Sequence, residues 1–254
     1  MVALAAAAPL IAPYDPFVLI PGATLRPPSR AFIFGTDELG RDVASRVLYG
    51  ARISLQVVVV AVGIALVAGT TIGVVAGYYG GRLDGTLMAA MEVLLAFPQI
   101  LLAMAILATL GPSLANAMVA VGLSGVPVYA RTARGVTLSI KGMDYLEAAR
   151  GLGAADARIL LRHVMPNMLH PIVVLATAGM GIALIVAAGL SYLGLGAQPP
   201  TPEWGAMLSE ARGYLRNAWW MATFPGLAIM VVVLCFNVCG DWLRDALDPR
   251  LRGR

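Results

Sequence analysis

Two histidines, two cysteines, one lysine and a lone acidic residue inside an apolar run are the side chains of this 254-residue chain that first suggest chemistry. His163 and His170 lie seven apart, on either side of Pro166-Asn167. A metal pair would need clustered carboxylates or cysteines beside them, and none stand near in sequence, so both read as groups at a loop-to-membrane boundary. Cys235 and Cys239, four apart in an apolar stretch, offer too few ligands for zinc and read as free buried thiols. A phosphate-cradling loop needs glycines ahead of a Lys-Ser or Lys-Thr pair. The only lysine, Lys141, sits between Ile140 and Gly142, so the chain carries no nucleotide site of that kind. Glu92 is the only acid well inside an apolar stretch, and such a group either lines a path or snorkels to a nearby surface. Gln99, Asn116 and Asn237 are candidates for pore lining or for hydrogen bonds between helices. Pro98 and Pro127 each remove a backbone donor and are expected to kink their helices. No clustered His, Asp or Cys constellation supports a membrane-embedded enzyme.

The elements that position these residues follow from composition. Hydrophobic residues make up 59% of the chain, charged residues only 13%, and the mean hydropathy is +0.80. A soluble domain carries about 25% charge, so the exterior of this one must meet lipid. Disorder, collagen-like repeats and a disulfide scaffold are excluded by the apolar content, the absence of a G-X-Y period and the two cysteines. The net charge of +4 rests on 18 bases, all but one of them Arg. Bases of a membrane protein gather in cytoplasmic loops and beside anionic headgroups, and their placement here argues for that rather than for nucleic acid.

A bilayer core of about 30 Å takes roughly 20 apolar helical residues. Long charge-free gaps predict spans at residues 55–76, 86–110, 114–132, 168–190 and 219–240, the last opening on the interfacial pair Trp219-Trp220. Residues 2–12 are apolar but too short to cross, at about 16 Å of helix, and no basic segment precedes them as in a signal peptide. They read as the outer half of a first helix whose beginning is missing. Alternation of loops puts eleven bases on the side of Lys141 and Arg158 and seven on the side of Arg26 and Arg212, which makes the first side cytoplasmic. The organisation expected is a partial first helix with an extracytoplasmic segment over 1–53, a membrane domain over 54–240 and a cytoplasmic tail over 241–254. No internal repeat stands out.

The loop over 142–167 reads GMDYLEAARGLGAADARILLRHVMPN. Two short helices meeting at Gly151 and Gly153 would project from the membrane as a knob, with Glu147, Ala148 and Ala149 on the first. The alternative is an amphipathic loop resting on headgroups. Three further stretches are distinctive: FGTDELGRDVASRVLYGARISL over 34–55, SYLGLGAQPPTPEWGAML over 191–208 and GDWLRDALDPRLR over 240–252.

The spacing of Glu147-Ala148-Ala149, Gly153 and His163 to Pro166 resembles the EAA signature of the membrane subunits of bacterial binding-protein-dependent ABC importers. His163 and Met165 stand where that signature has Ile and Leu, the latter a volume-conserving swap. All four stretches resemble the dipeptide, oligopeptide and nickel branch, in particular the second of its two paired membrane subunits. The resemblance implies an all-α integral membrane protein, a six-helix type I importer domain with cytoplasmic coupling helices; the shortened first helix is the main departure from the family, which normally starts with a cytoplasmic tail and a complete span. It implies a second permease subunit, two cytoplasmic ATPase subunits that bind ATP and Mg, an extracytoplasmic solute-binding protein, and no cofactor on this chain. It makes the loop around 141–166 an ATPase-coupling element, with Glu147, Ala148, Ala149, Gly153 and Pro166 its signature residues. ATP binding would move that loop as a lever and open the pore outward.

Within the membrane, Glu92, Gln99 and Asn116 are the candidate substrate-path residues. Glu92 either meets the amino terminus of a peptide or pairs with a base such as Arg82; the base that relatives often carry a few residues earlier is Ala89 here. Pro199, Pro200, Pro202 and Trp204 mark a rigid extracytoplasmic turn. A stand-alone secondary transporter or channel is the competing class, and it would more often show several intramembrane ionisable groups or an inverted repeat.

Overall fold

The computed structural model describes residues 7–247. Every regular element among them is a helix, with one isolated bridge between Thr36 and Asp42. A four-residue helix α1, Ala8–Ile11, is what lies within the described residues of the expected first span. The chain then runs without regular structure to α2, Val43–Tyr79. This helix begins where it does because Asp42, in extended backbone, accepts from the Ser45 N–H and from Ser45 Oγ, both at 2.7 Å. At 37 residues it spans about 55 Å. It therefore starts twelve residues before the predicted span, and the predicted boundary at 53–54 falls inside it.

Gly69, Gly73 and Gly77 form a notch on one face of α2 into which α5, Leu114–Lys141, is pressed. A Cβ at Gly73 would lie 2.7 Å from the Ala133 Cβ, and one at Gly77 would lie 2.9 Å from the Thr137 Cβ. The resulting α2–α5 contact is the most extensive in the molecule. Between them, Gly80 and Gly81 at φ +70° and +60° turn the chain into α3, Gly81–Leu95. The single span predicted over 86–110 is broken: α3 stops short of Pro98, and α4, Gln99–Leu110, leaves at 96°. Proline disfavours helix at the residue before it and cannot donate within the turn, so the break follows from Pro98. Pro127, in contrast, lies inside α5 without interrupting it.

After α5 come two short helices, α6, Asp144–Gly151, and α7, Asp156–Ile159, then a π-helical turn, Leu160–Val164, that runs into α8, Met165–Tyr192. A short α9, Trp204–Ala211, precedes α10, Trp220–Leu247. The core joins α2, α4, α5 and α8, closed at one end by Trp204, Met207, Trp220 and Met221. A second cluster, including Tyr78, Ile140, Leu146, Ile159 and Met168, lies under the loop at the other end. Leu234, Val238 and Trp242 on α10 are exposed, as is Val67 on α2. An apolar exterior of this kind suits lipid or a membrane partner. Cys235 and Cys239 belong to that outward surface and are exposed, not buried as the apolar setting suggested.

Candidate functional site

The loop between α5 and α8 is a helical knob, as its glycines suggested. Met143, in extended backbone, starts α6, which carries Asp144 and Glu147 in its first turn and Arg150 in its last, the arrangement that complements the helix dipole. Gly153 takes φ +79° and reverses the chain. No heavy atom lies within 4 Å of where its Cβ would be, so the glycine serves the turn rather than a close packing contact. Glu147 and Ala148 are exposed, Ala149 half-buried, and Pro166 exposed in the first turn of α8. Leu152, at the tip, is 89% exposed. The π-helical turn brings in Arg162 and the half-buried His163, whose ring sits 5.8 Å from that of Tyr145.

Sequence reasoning did not single out what holds this knob. Tyr78, in the last turn of α2, donates its hydroxyl to Asp156 Oδ1 at 2.7 Å. Lys141 Nζ donates to the Tyr78 carbonyl at 2.6 Å, and the Arg150 guanidinium lies 5.3 Å from the Tyr78 ring centroid. Nearby, Arg134 on α5 grips Asp84 on α3 in a bidentate pair, at 2.5 and 2.6 Å. Glu92 is exposed on α3.

A cavity of about 100 Å3 lies among α2, α4, α5 and α8. Gln99 and Tyr129 are the polar side chains on a lining otherwise made of groups such as Ala65, Val121, Leu175 and Ile182. Among the described residues the buried Tyr129 hydroxyl has no hydrogen-bond partner. Gln99 is thus at the cavity, whereas Asn116 is not. Its Nδ2 donates to the carbonyls of Leu110 and Gly111 at 2.8 and 3.0 Å, closing the turn between α4 and α5. Asn237, on α10, is exposed.

At the far end of α2 the GTDELGRD stretch forms a buried ionic cluster. Asp37 Oδ1 accepts from the N–H groups of Leu39 and Arg41, and its Oδ2 meets Arg41 Nε at 2.5 Å and Arg46 Nη1 at 3.3 Å. Glu210 of α9 receives Arg41 at 3.1 Å and Arg46 at 2.8 Å. Asp37, Glu38 and Glu210 offer oxygens within 4.8 Å of one another, but the two guanidiniums already hold the space a cation would take. Burial, with Asp37 and Glu210 adding, pushes the Glu38 carboxyl above its ordinary value, against its own backbone N–H and Arg41. Beside the cluster, Glu203 caps α9 by accepting from Gly205 and Ala206 N–H, both at 3.0 Å. Burial raises its carboxyl despite those bonds. Trp204 locks the same turn by donating Nε1–H to the Val47 carbonyl at 3.0 Å.

Comparison with known proteins gives a consistent picture. Residues 69–253 match the family described as "Binding-protein-dependent transport system inner membrane component". The chain is 49% identical over 232 residues to the dipeptide transport system permease protein DppC of Alkalihalophilus pseudofirmus, covering 91% of this chain and 76% of that one. It is 44% identical to the di/tripeptide permease protein DppC of Pseudomonas aeruginosa, covering 96% and 83%. It is 51% identical to the glutathione transport permease protein GsiD of Pectobacterium atrosepticum, covering 89% and 75%. The inward-facing MetNI methionine ABC transporter shares the fold, with a TM-score of 0.67 at 20% identity over 80% of this chain and 96% of that one.

Proposed function

The chain belongs to the binding-protein-dependent transport system inner membrane components, and on that premise we propose that it forms half of an inward path for di- or oligopeptides or a related small solute such as glutathione. It is a multi-pass permease subunit of the bacterial inner membrane, a transport component rather than an enzyme. Relatives about half identical to it over most of its length are named for dipeptides, di/tripeptides and glutathione, which supports a short peptide backbone as the common cargo.

The path is completed by a second permease subunit. Two cytoplasmic ATPase subunits supply ATP turnover with their own Mg, and an extracytoplasmic solute-binding protein delivers the cargo. The knob over 141–166 docks on one ATPase, with Glu147 and Ala148 on the docking face, Gly153 making the turn and Pro166 starting the return helix. The observation that carries this reading is the exposure of Leu152 at the tip of a loop whose base is otherwise tightly packed. An apolar side chain held out on a firm base fits a protein groove better than water.

The test is copurification on a C-terminal tag after expression with the neighbouring genes. A second permease and ATPases that come along with the wild type, and are lost on replacing Glu147 and Gly153 with bulky residues, support the reading. A chain that purifies alone and moves solute into liposomes without ATP overturns it in favour of a secondary transporter.

A further inference from the structure

Three elements of the coupling knob converge on one residue outside it. Lys141 ends α5 where the chain enters the knob, Arg150 lies in the last turn of α6 in its middle, and Asp156 begins α7 where it leaves. Each touches Tyr78: through its carbonyl, its ring face and its hydroxyl respectively. Tyr78 is 4% exposed, with its ring in the apolar cluster that includes Leu146 and Ile159 from the knob and Val74 from its own helix. On the other side of the knob, Asn167 of α8 meets the Tyr145 hydroxyl at 3.4 Å, close to the limit of a hydrogen bond, and donates to the His163 carbonyl at 2.7 Å.

The helix that carries Tyr78 is held along its length. Its glycine face is keyed into α5, so it cannot slide on that neighbour without steric conflict. Its far end presents Arg46 to Glu210 on α9, at 2.8 Å. A displacement of the knob must therefore either break its bonds to Tyr78 or carry the end of α2 with it.

We propose that Tyr78 is the positioning residue that clamps the coupling knob to α2, so that a push on the knob is delivered along this helix to the Arg46–Glu210 cluster at its other end. The proposal rests on the importer reading above for the origin of the push. Its core, the clamp itself, does not. The hydroxyl bond to Asp156 is the part that can be removed without disturbing the packed ring.

The experiment uses the complete complex in proteoliposomes, with Y78F, D156A, the double variant and D156N, which keeps an acceptor oxygen. Two quantities are read: amide hydrogen exchange over residues 144–156, and solute taken up per ATP hydrolysed. In Y78F and D156A the ATPase subunits copurify as in wild type, exchange in the knob rises about 3- to 10-fold, and uptake per ATP falls to a third or less while hydrolysis continues. The double variant matches Y78F, because Y78F already removes the bond that D156A removes. D156N recovers at least half of the wild-type uptake per ATP. Unchanged exchange and uptake per ATP in Y78F, or effects of the two single changes that multiply, overturn the clamp. If Y78F does not assemble, D156A at an exposed position reads the same bond by the same criteria. Wild-type complex that shows no ATP-driven uptake overturns the importer reading instead, and the exchange measurement still judges the clamp.

Discussion

The two ends of α2 are built on opposite plans. At the far end, Arg41, Asp37 and Arg46 are almost wholly buried, and their charges are answered within the chain by one another and by Glu210. At the loop end, α6 is polar and exposed, Leu152 faces out, and only the base of the knob is packed. The first region answers its charges within the chain, although Glu38 Oε2, Asp42 Oδ1 and Arg46 Nη1 are buried there without a hydrogen-bond partner among the described residues. The second keeps an apolar tip and the exposed acids Asp144 and Glu147 on a packed base. That is the difference between a brace, which needs only its own chain, and a docking element, which needs another.

The comparison is broken most severely at Arg46. R46M removes one of the two guanidiniums that meet Asp37 and Glu210 and leaves Arg41 to answer both acids; removing one partner of a buried ion pair costs about 3–5 kcal/mol. A large drop in the thermal midpoint in detergent is expected, and a midpoint within a degree or two of wild type would mean the cluster is not a brace. G73V comes next, because its side chain would be driven into α5 beside Ala133; overpacking of this kind costs about 1–3 kcal/mol. The same thermal measurement checks it, and G63A, at a position with open space around it, is the control.

A subtler effect is expected from Glu203. Burial raises its folded carboxyl above the ordinary 4.5, so the folded state keeps the proton to higher pH than the unfolded chain does. Its contribution to stability therefore falls as pH rises from that ordinary value through the raised one, and the whole penalty is present above it. Measured from about pH 4 to pH 7, the thermal midpoint of E203Q should gain on wild type as pH rises; parallel curves would show that the carboxyl is not strained by burial. Smallest in stability is L152D at the knob, expected within about ±0.5 kcal/mol as for exposed positions generally. Its effect should appear instead as loss of ATPase subunits in copurification. A clear fall in the midpoint would place Leu152 in the fold rather than at an interface.

Much of this was legible in the chain. The gap between Arg52 and Arg82 located the middle of α2, Pro98 located a break, and Gly151 and Gly153 located the reversal of the knob. The far third of α2 was missed because Arg46 and Arg52 were read as marks of an aqueous segment. Arg46 is instead neutralised by a residue 164 positions later. Asn116 looked like a polar group inside a span, and only the break at Gly111 shows that its amide is consumed by a turn. Tyr78 gave no signal at all, since an aromatic near a helix end is ordinary and its partners lie 63, 72 and 78 positions away.

The amino-acid sequence by itself determined the membrane setting, the position of most helices, the knob and the family, because these depend on local apolar length, on proline and glycine, and on short ordered motifs. The tertiary structure alone decided how sharply the chain turns at Pro98, which polar groups face the cavity, which charges cancel at the far end of α2 and which residue holds the knob. These depend on contacts between residues far apart in the chain, and no local pattern records where such partners meet.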